Sequence, residues 1–90
     1  MFNEEHFKKY DEFIETLPDG GKEVTLSGGE KVVMREPTVQ DQITASKMGS
    51  AAENEITFIA NLSMKTPAEI KGMKLKDYSR LQAALNHFLF

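Results

Sequence analysis

The sequence predicts an α+β fold, in which an N-terminal helix and a β-hairpin are followed by three to four α-helices packed on the hairpin. Three features of the 90-residue chain lead to this prediction. Apolar residues recur at helical spacing near both ends of the chain, two short β-type runs flank a glycine pair, and two threonine-led capping sequences introduce helices.

The first 21 residues predict an amphipathic helix and a Pro/Gly turn, set apart from a second unit over residues 22–90. Apolar side chains at spacings of three and four predict a helix from about Asn3 to Thr16. A candidate self-association surface on this helix consists of Phe7, Tyr10, Ile14 and Leu17. The Leu-Pro-Asp-Gly-Gly turn at positions 17–21 leaves this stripe able to pack on the chain's own core or on a second copy, so a homo-oligomer is an expectation.

A β-hairpin is predicted next, from the runs Glu23–Ser27 and Lys31–Arg35. A two-residue Gly-Gly loop would place the apolar residues of the two strands on opposite faces. A three-residue loop, Gly28–Glu30, instead pairs Leu26 with Val32. It also pairs Val24 with Met34, so that all four apolar side chains share one face. Because a slip of one residue would expose the whole apolar set, the three-residue loop is favoured.

Four helical segments are predicted after the hairpin. They run from Thr38 to about Met48, from Glu53 to Leu62, from Thr66 to Gly72 and from Leu75 to Phe90. Thr38 and Asp41 form a capping-box variant, with aspartate in place of the usual glutamate. Thr66 and Glu69 form a standard capping box, and Pro67 occupies the favoured first helical position.

The side chains able to act as nucleophiles, bases or metal ligands do not form a catalytic or metal-binding pattern. The chain has no cysteine, which excludes disulfides and thiolate metal sites. Its two histidines, His6 and His87, lie in opposite terminal segments without ligand spacing. The glycine pair before Lys22 lacks the remaining elements of a phosphate-binding loop. We therefore expect no enzymatic activity, no cofactor and no metal ion.

The distribution of hydropathy and charge bears on location and on nucleic-acid binding. No apolar run reaches the roughly 20 residues that span a bilayer, and the acidic N-terminus is unlike a signal peptide, so a cytoplasmic protein is expected.

Within residues 65–80, five basic residues against two acids leave a local charge of +3. Lys76 and Arg80 are spaced to share a helix face. A solvated face is the preferred interpretation, and a small nucleic-acid-binding regulator is kept as an alternative function.

The run Lys31–Asp41 resembles the tail assembly chaperones of Mu-type contractile-tailed phages and prophages. In that family the hairpin ends in an Arg-Glu-Pro-Thr-like corner, followed two residues later by an acid. Further segments similar to the family, in the same order, are Glu53–Ser63, Pro67–Ile70, Lys76–Tyr78 and Leu85–Leu89. The resemblance covers about Glu23 to Phe90, and the acidic Phe2–Leu17 helix looks like an addition before it that could serve self-association, shield the groove or bind another tail protein.

The resemblance implies a function in tail morphogenesis. Proteins of this family bind the long, helical, aggregation-prone tape measure protein and keep it soluble while the tail tube polymerises around it. The family often also makes a longer product by ribosomal frameshifting. Other tail proteins are further implied partners, and a structural tail component is a second alternative function.

The partner-binding site is predicted in a groove between the middle helix and the C-terminal helix, where an amphipathic helix of the tape measure protein would dock. The middle helix carries apolar residues on two sides, a wider stripe than one thin core should absorb. The candidate binding residues are Phe58, Leu62, Tyr78, Leu81, Leu85 and Phe88.

Overall fold

A computed structural model of the protein describes residues 8–47 and 49–89. Within these residues the chain forms a short 3-10 helix, three strands and four α-helices. The elements are the 3-10 helix Asp11–Phe13, β1 (Ile14–Thr16), β2 (Lys22–Thr25), β3 (Lys31–Met34), α1 (Val39–Ala45), α2 (Ala51–Ser63), α3 (Pro67–Lys71) and α4 (Leu75–Leu89). The strands form one antiparallel sheet in the order β1-β2-β3, which confirms the predicted α+β class.

The predicted N-terminal helix is wrong in its last part. Residues Ile14–Thr16 form the edge strand β1, in which Ile14 lies opposite Val24 of β2. Ile14 and Thr16 are β-branched, and such residues favour the extended backbone when a neighbouring strand is available for pairing. The first residues of the predicted helix, up to Phe7, lie outside the described residues. The strands therefore precede the four α-helices in the described part of the chain.

The turn that was predicted to end a helix instead connects two strands. Gly20 N donates to the Leu17 carbonyl at 3.0 Å, and Leu17 N donates to the Gly21 carbonyl at 2.9 Å. Gly20 has a φ of +94°, which a residue with a β-carbon adopts only at a steric cost. This hydrogen-bond pattern is that of a three-residue hairpin loop whose last residue is a glycine in the left-handed backbone conformation.

The second hairpin has the same loop geometry, and its predicted register is wrong by two residues. The observed pairs include Val24–Val32 and Lys22–Met34. Leu26 N donates to the Glu30 carbonyl at 2.7 Å, and Gly29 N donates to the Leu26 carbonyl at 2.9 Å, so the loop is Ser27–Gly29 rather than Gly28–Glu30. The left-handed position falls on Gly29, whose φ is +91°. The predicted loop would have forced Glu30 into that conformation, which glycine accommodates far better.

A shift of two residues keeps every side chain on its face, so the prediction of a shared apolar face is confirmed. The residues concerned, all buried, are Val24, Leu26, Val32 and Met34. This face packs against α2 and α4, whose contributions to the core include Ile59, Leu62, Leu81 and Leu85. Ile56, also on α2, lies partly buried at the margin of this core.

The predicted helices are present with small changes at their ends. Helix α1 ends at Ala45 and its predicted end, Met48, lies outside the described residues. Helix α2 begins earlier than predicted because Ser50 caps it, accepting a hydrogen bond from Glu53 N at 3.1 Å. The capping boxes at the starts of α1 and α3 are both confirmed.

Candidate partner-binding surface

The segment between β3 and α1 is held by a two-bond ion pair. Arg35 donates to both carboxylate oxygens of Asp41, at 2.6 and 2.7 Å. Asp41, only 8% exposed, also accepts from Thr38 N at 2.8 Å, while its own backbone N–H donates to the Thr38 hydroxyl at 3.2 Å. The helix cap and the ion pair thus share one carboxylate, and together they fix where α1 starts.

The paired charges of Arg35 and Asp41 are typical of a contact that stabilises the fold. The Arg35 guanidinium and the hydrogen bonds from Thr38 hold the pKa of Asp41 well below its usual range, although burial acts in the opposite direction. Arg35 N also donates to the carbonyl of Leu62 at 3.0 Å, which ties the corner to the end of α2. The Arg-Glu-Pro-Thr…Asp pattern that carried the family resemblance therefore connects the end of β3 to the start of α1 and the end of α2 through hydrogen bonds.

A second polar cluster joins α2 to α4. The Glu55 carboxylate accepts hydrogen bonds from the Tyr78 hydroxyl and from the Gln82 amide, the latter at 2.8 Å. Burial and the bond to Glu55 raise the pKa of Tyr78, so the phenol stays protonated and donates. Glu55 lines one surface hollow and Tyr78 lines another, so this bridge lies between two apolar hollows.

The first hollow, which we call the α1 groove, lies between α1, α2 and α4. It has a volume of about 280 Å³. Its lining consists of Gln42, Ala45, Ser46, Ala51, Asn54, Glu55, Phe58, Leu85 and Leu89. Leu89 is 44% exposed, and Phe58 is half-buried. The floor is apolar and the sides carry amide, hydroxyl and carboxylate groups, a composition typical of a site for another protein chain.

The second hollow, which we call the α3 hollow, lies between α2, α3 and the start of α4. It has a volume of about 250 Å³. Its lining consists of Ile56, Ile70, Lys71, Met73, Leu75 and Tyr78. Leu75, in the first turn of α4, is 78% exposed and is the most exposed leucine of the described residues.

The structure does not bring the six predicted binding residues into one groove. Phe58 and Leu85 line the α1 groove together, whereas Tyr78 lines the α3 hollow. Leu62 and Leu81 are buried in the core between the sheet and the helices. Phe88 is half-buried on the sheet side of α4, where the Lys22 ammonium lies 5.8 Å from its ring centre.

Two exposed lining residues, Leu75 and Leu89, were not among the predicted binding residues. Both lie at the ends of the α4 stripe, and their positions in the sequence resemble those of core residues. Helical spacing alone does not distinguish them from the buried residues of the same helix.

Three of the four predicted self-association residues are partly buried within the chain's own fold. Ile14 packs at the margin of the core, while Tyr10 and Leu17 are half-buried. Phe7 lies outside the described residues. Asp11 Oδ1 lies 2.8 Å from His87 Nε2, so the segment before β1 is attached to the end of α4. Self-association remains a prediction.

Arg80, the residue on which the nucleic-acid alternative depends, is engaged within the fold. Its guanidinium lies 3.5 Å from the ring centre of Phe13 and donates to the Thr25 carbonyl at 2.7 Å. Thr25 has no partner in β1, because pairing with that strand begins at Val24. Arg80 therefore caps the sheet edge instead of joining Lys76 in a free basic patch, which weakens the case for this alternative.

None of the described helices is long and apolar enough to cross a membrane.

Within the described residues, the α+β fold and the two hollows described above present apolar surface available for protein contacts. A family model described as phage tail assembly chaperone proteins, E, or 41 or 14, matches residues 18–89. The chain belongs to this family of phage tail assembly chaperones. The matched residues include the Arg35–Asp41 corner and the linings of both hollows. No curated protein and no solved structure matches the chain significantly.

Proposed function

We propose that this chaperone binds the tape measure protein of its own phage or prophage in the α1 groove and keeps it soluble during tail assembly. The activity is binding without catalysis, and its place is the cytoplasm of the bacterial host. Membership of the tail assembly chaperone family supports a tail protein as the partner. The long helical character implied for the tape measure protein makes an amphipathic helix the segment that docks.

The observation that carries this proposal is the combination of lining residues in the α1 groove. Phe58, Leu85 and Leu89 supply an apolar floor that would accept side chains spaced three or four residues apart on a partner helix. Gln42 and Glu55 supply polar groups beside that floor. Polar groups at the edge of an apolar patch orient a partner without contributing most of the affinity.

The size of the α1 groove suits a complex that must later dissociate. One or two apolar anchors fit into about 280 Å³. A fully buried apolar side chain contributes roughly 2 kcal/mol, and ordering the partner helix offsets part of that gain. Such a complex can protect an aggregation-prone segment of the tape measure protein. It can still release that segment when tube subunits compete for the same surface of the tape measure protein.

Co-expression of the chaperone with the tape measure protein tests this proposal. Leu89→Lys places a charge at the apolar floor of the α1 groove and should leave the tape measure protein in the insoluble fraction. Val33→Lys is the matched control, because Val33 is 51% exposed and lies on the outer face of the sheet. It should keep the tape measure protein soluble, as the wild type does.

Both side chains are exposed, so both variants should fold, and thermal melting by circular dichroism checks this point. The proposal is wrong if folded Leu89→Lys protein solubilises the tape measure protein as well as Val33→Lys does.

A further inference from the structure

Among the described residues, Glu55 is the only charged one in the lining of the α1 groove. The other polar side chains of the lining are amides and a hydroxyl, and the remainder are apolar. Lys47, which follows Ser46 of the lining in the sequence, forms no ion pair with Glu55. The charge of Glu55 is therefore not neutralised by an ion pair with any residue that the structure describes.

Only one of the two carboxylate oxygens of Glu55 is engaged within the fold. The Tyr78 hydroxyl and the Gln82 amide both donate to Oε1, the latter at 2.8 Å. Oε2 accepts no hydrogen bond from the described residues, and it is accessible to solvent, because none of their buried side-chain oxygens lacks a partner. Two donors on Oε1 hold the carboxylate in place, so a cation that meets Oε2 has little more of the chaperone to order.

Glu55 lies at one end of the apolar floor of the groove. Gln82, whose amide binds Glu55, precedes Leu89 by seven residues on α4, which is about two helical turns. On α2, Glu55 and Phe58 are three residues apart, a spacing that places them on the same side of the helix. On a docked helix, the apolar side chains over the floor and a basic side chain beside Oε2 are therefore about one to two turns apart.

We propose that the α1 groove selects a helix with a lysine or arginine one to two turns from its apolar anchors, and that Glu55 determines this preference. The inference rests on the proposed function, because it concerns the same groove. The ammonium or guanidinium group donates to Oε2 while the apolar anchors contact Phe58, Leu85 and Leu89. The anchors exclude water beside the ion pair, which strengthens its attraction. The tape measure segment that docks here is thus amphipathic and carries a basic residue at one end.

Two synthetic peptides test this preference on the full chain. Each has about 16 residues, is designed to be helical and carries a leucine and a phenylalanine four residues apart at its centre. The basic peptide has a lysine one turn before and one turn after this pair, so that either direction of docking brings one lysine to Glu55. The neutral peptide has glutamine at both positions. By fluorescence anisotropy, the basic peptide should bind about tenfold more tightly at low salt, and added salt should reduce the difference.

Two variants of the chaperone assign the preference to one carboxylate. Glu55→Gln removes the charge but keeps an oxygen that accepts from Tyr78 and Gln82, and it should bind both peptides with about equal affinity. Glu53→Gln is the matched control. It removes a carboxylate of the same helix that pairs with Lys71 and does not line the groove, so the tenfold difference should remain.

Leu89→Ser separates this inference from the proposed function, because it shortens the apolar floor without adding a charge. It should weaken the binding of both peptides to a similar extent. If both peptides bind the wild type equally and Leu89→Ser weakens both, the inference is overturned while the proposed function stands. The inference is also overturned if the preference persists in Glu55→Gln or is lost equally in Glu53→Gln. If neither peptide binds the wild type, the inference and the proposed function both fail.

Discussion

The Arg35–Asp41 corner and the two hollows differ in how strictly they depend on residue type. The corner needs a guanidinium with two parallel donors and a carboxylate that reaches both this group and a helix cap. The hollows need only apolar side chains of suitable size, and leucine, isoleucine, phenylalanine and methionine all supply these.

This difference explains why the recognisable pattern and the proposed binding surfaces lie in different places. Hydrogen-bond geometry restricts the corner to a few residue types at fixed spacing, which leaves a motif in the sequence. Apolar surface leaves no comparable motif, since core and binding positions use the same residue types. In this protein, the sequence motif identifies residues that stabilise the fold, whereas the candidate binding surfaces are identified only from the structure.

Removing the shared carboxylate should give the largest loss of stability. Asp41→Ala should lower the free energy of unfolding by about 2 to 3 kcal/mol, because it deletes the ion pair and the hydrogen bond that Thr38 N donates to the Asp41 carboxylate at the start of α1. Urea denaturation followed by circular dichroism measures this. Arg35→Lys keeps the charge but loses the two-bond geometry, and a loss of about 1 kcal/mol is expected for it. If Asp41→Ala is as stable as the wild type, the structural role assigned to the corner is wrong.

The acid dependence of stability should come partly from the same carboxylate. The pKa of Asp41 in the folded state lies below its ordinary value of 3.8, so ionised Asp41 favours the folded state at neutral pH. This contribution persists above the ordinary value and is lost as pH falls below it. Asp41→Asn should therefore flatten the decline of unfolding free energy on the acid side. Arg35→Ala should flatten it similarly, because Arg35 is the main cause of the lowered pKa. An unchanged pH profile in both variants would contradict this account.

A smaller effect is expected at the hairpin loop, another position restricted to one residue type. Gly29→Ala should cost about 1 kcal/mol, because a β-carbon is strained at a φ of +91° although the surrounding space is open. Gly28→Ala is the matched control, since Gly28 also has open space and no positive φ. It should change the free energy of unfolding by roughly zero or slightly increase it. Equal effects in the two variants would argue for the loop Gly28–Glu30 that the sequence had suggested.

The smallest effects on stability are expected in the hollows. Leu75→Ser and Leu89→Lys should each change the free energy of unfolding by less than about 0.5 kcal/mol, because Leu75 is 78% exposed and Leu89 44% exposed. Thermal and urea unfolding measure this. A large loss of stability in either variant would mean that the leucine belongs to the core, and the contrast with the corner would fail.

The sequence predicted those parts of the fold that depend on local chemistry. Both capping boxes and the shared apolar face of the hairpin follow from residue types a few positions apart, and the structure confirms them. The strand β1 was missed because Ile14 fits a helical spacing equally well, and only pairing with Val24 decides between helix and strand. The hairpin register was missed because two loops of equal length give the same buried face.

The candidate surfaces were harder to predict because they depend on packing between distant elements. Leu62, Leu81 and Leu89 share the apolar pattern of their helices, yet the first two are buried and Leu89 is exposed. Leu62 and Leu81 pack in the core beneath the sheet, whereas Leu89 lies near the end of α4 in the lining of the α1 groove.

We propose that the Arg35–Asp41 corner maintains the fold while the α1 groove binds the partner. Calorimetric titration of a tape measure segment into Arg35→Ala and Leu89→Lys tests it most directly, at a temperature where both variants are folded. Arg35→Ala should lose stability but bind within about twofold of the wild type, whereas Leu89→Lys should keep its stability and bind about tenfold more weakly or worse. The claim is contradicted if folded Arg35→Ala binds poorly while Leu89→Lys binds like the wild type.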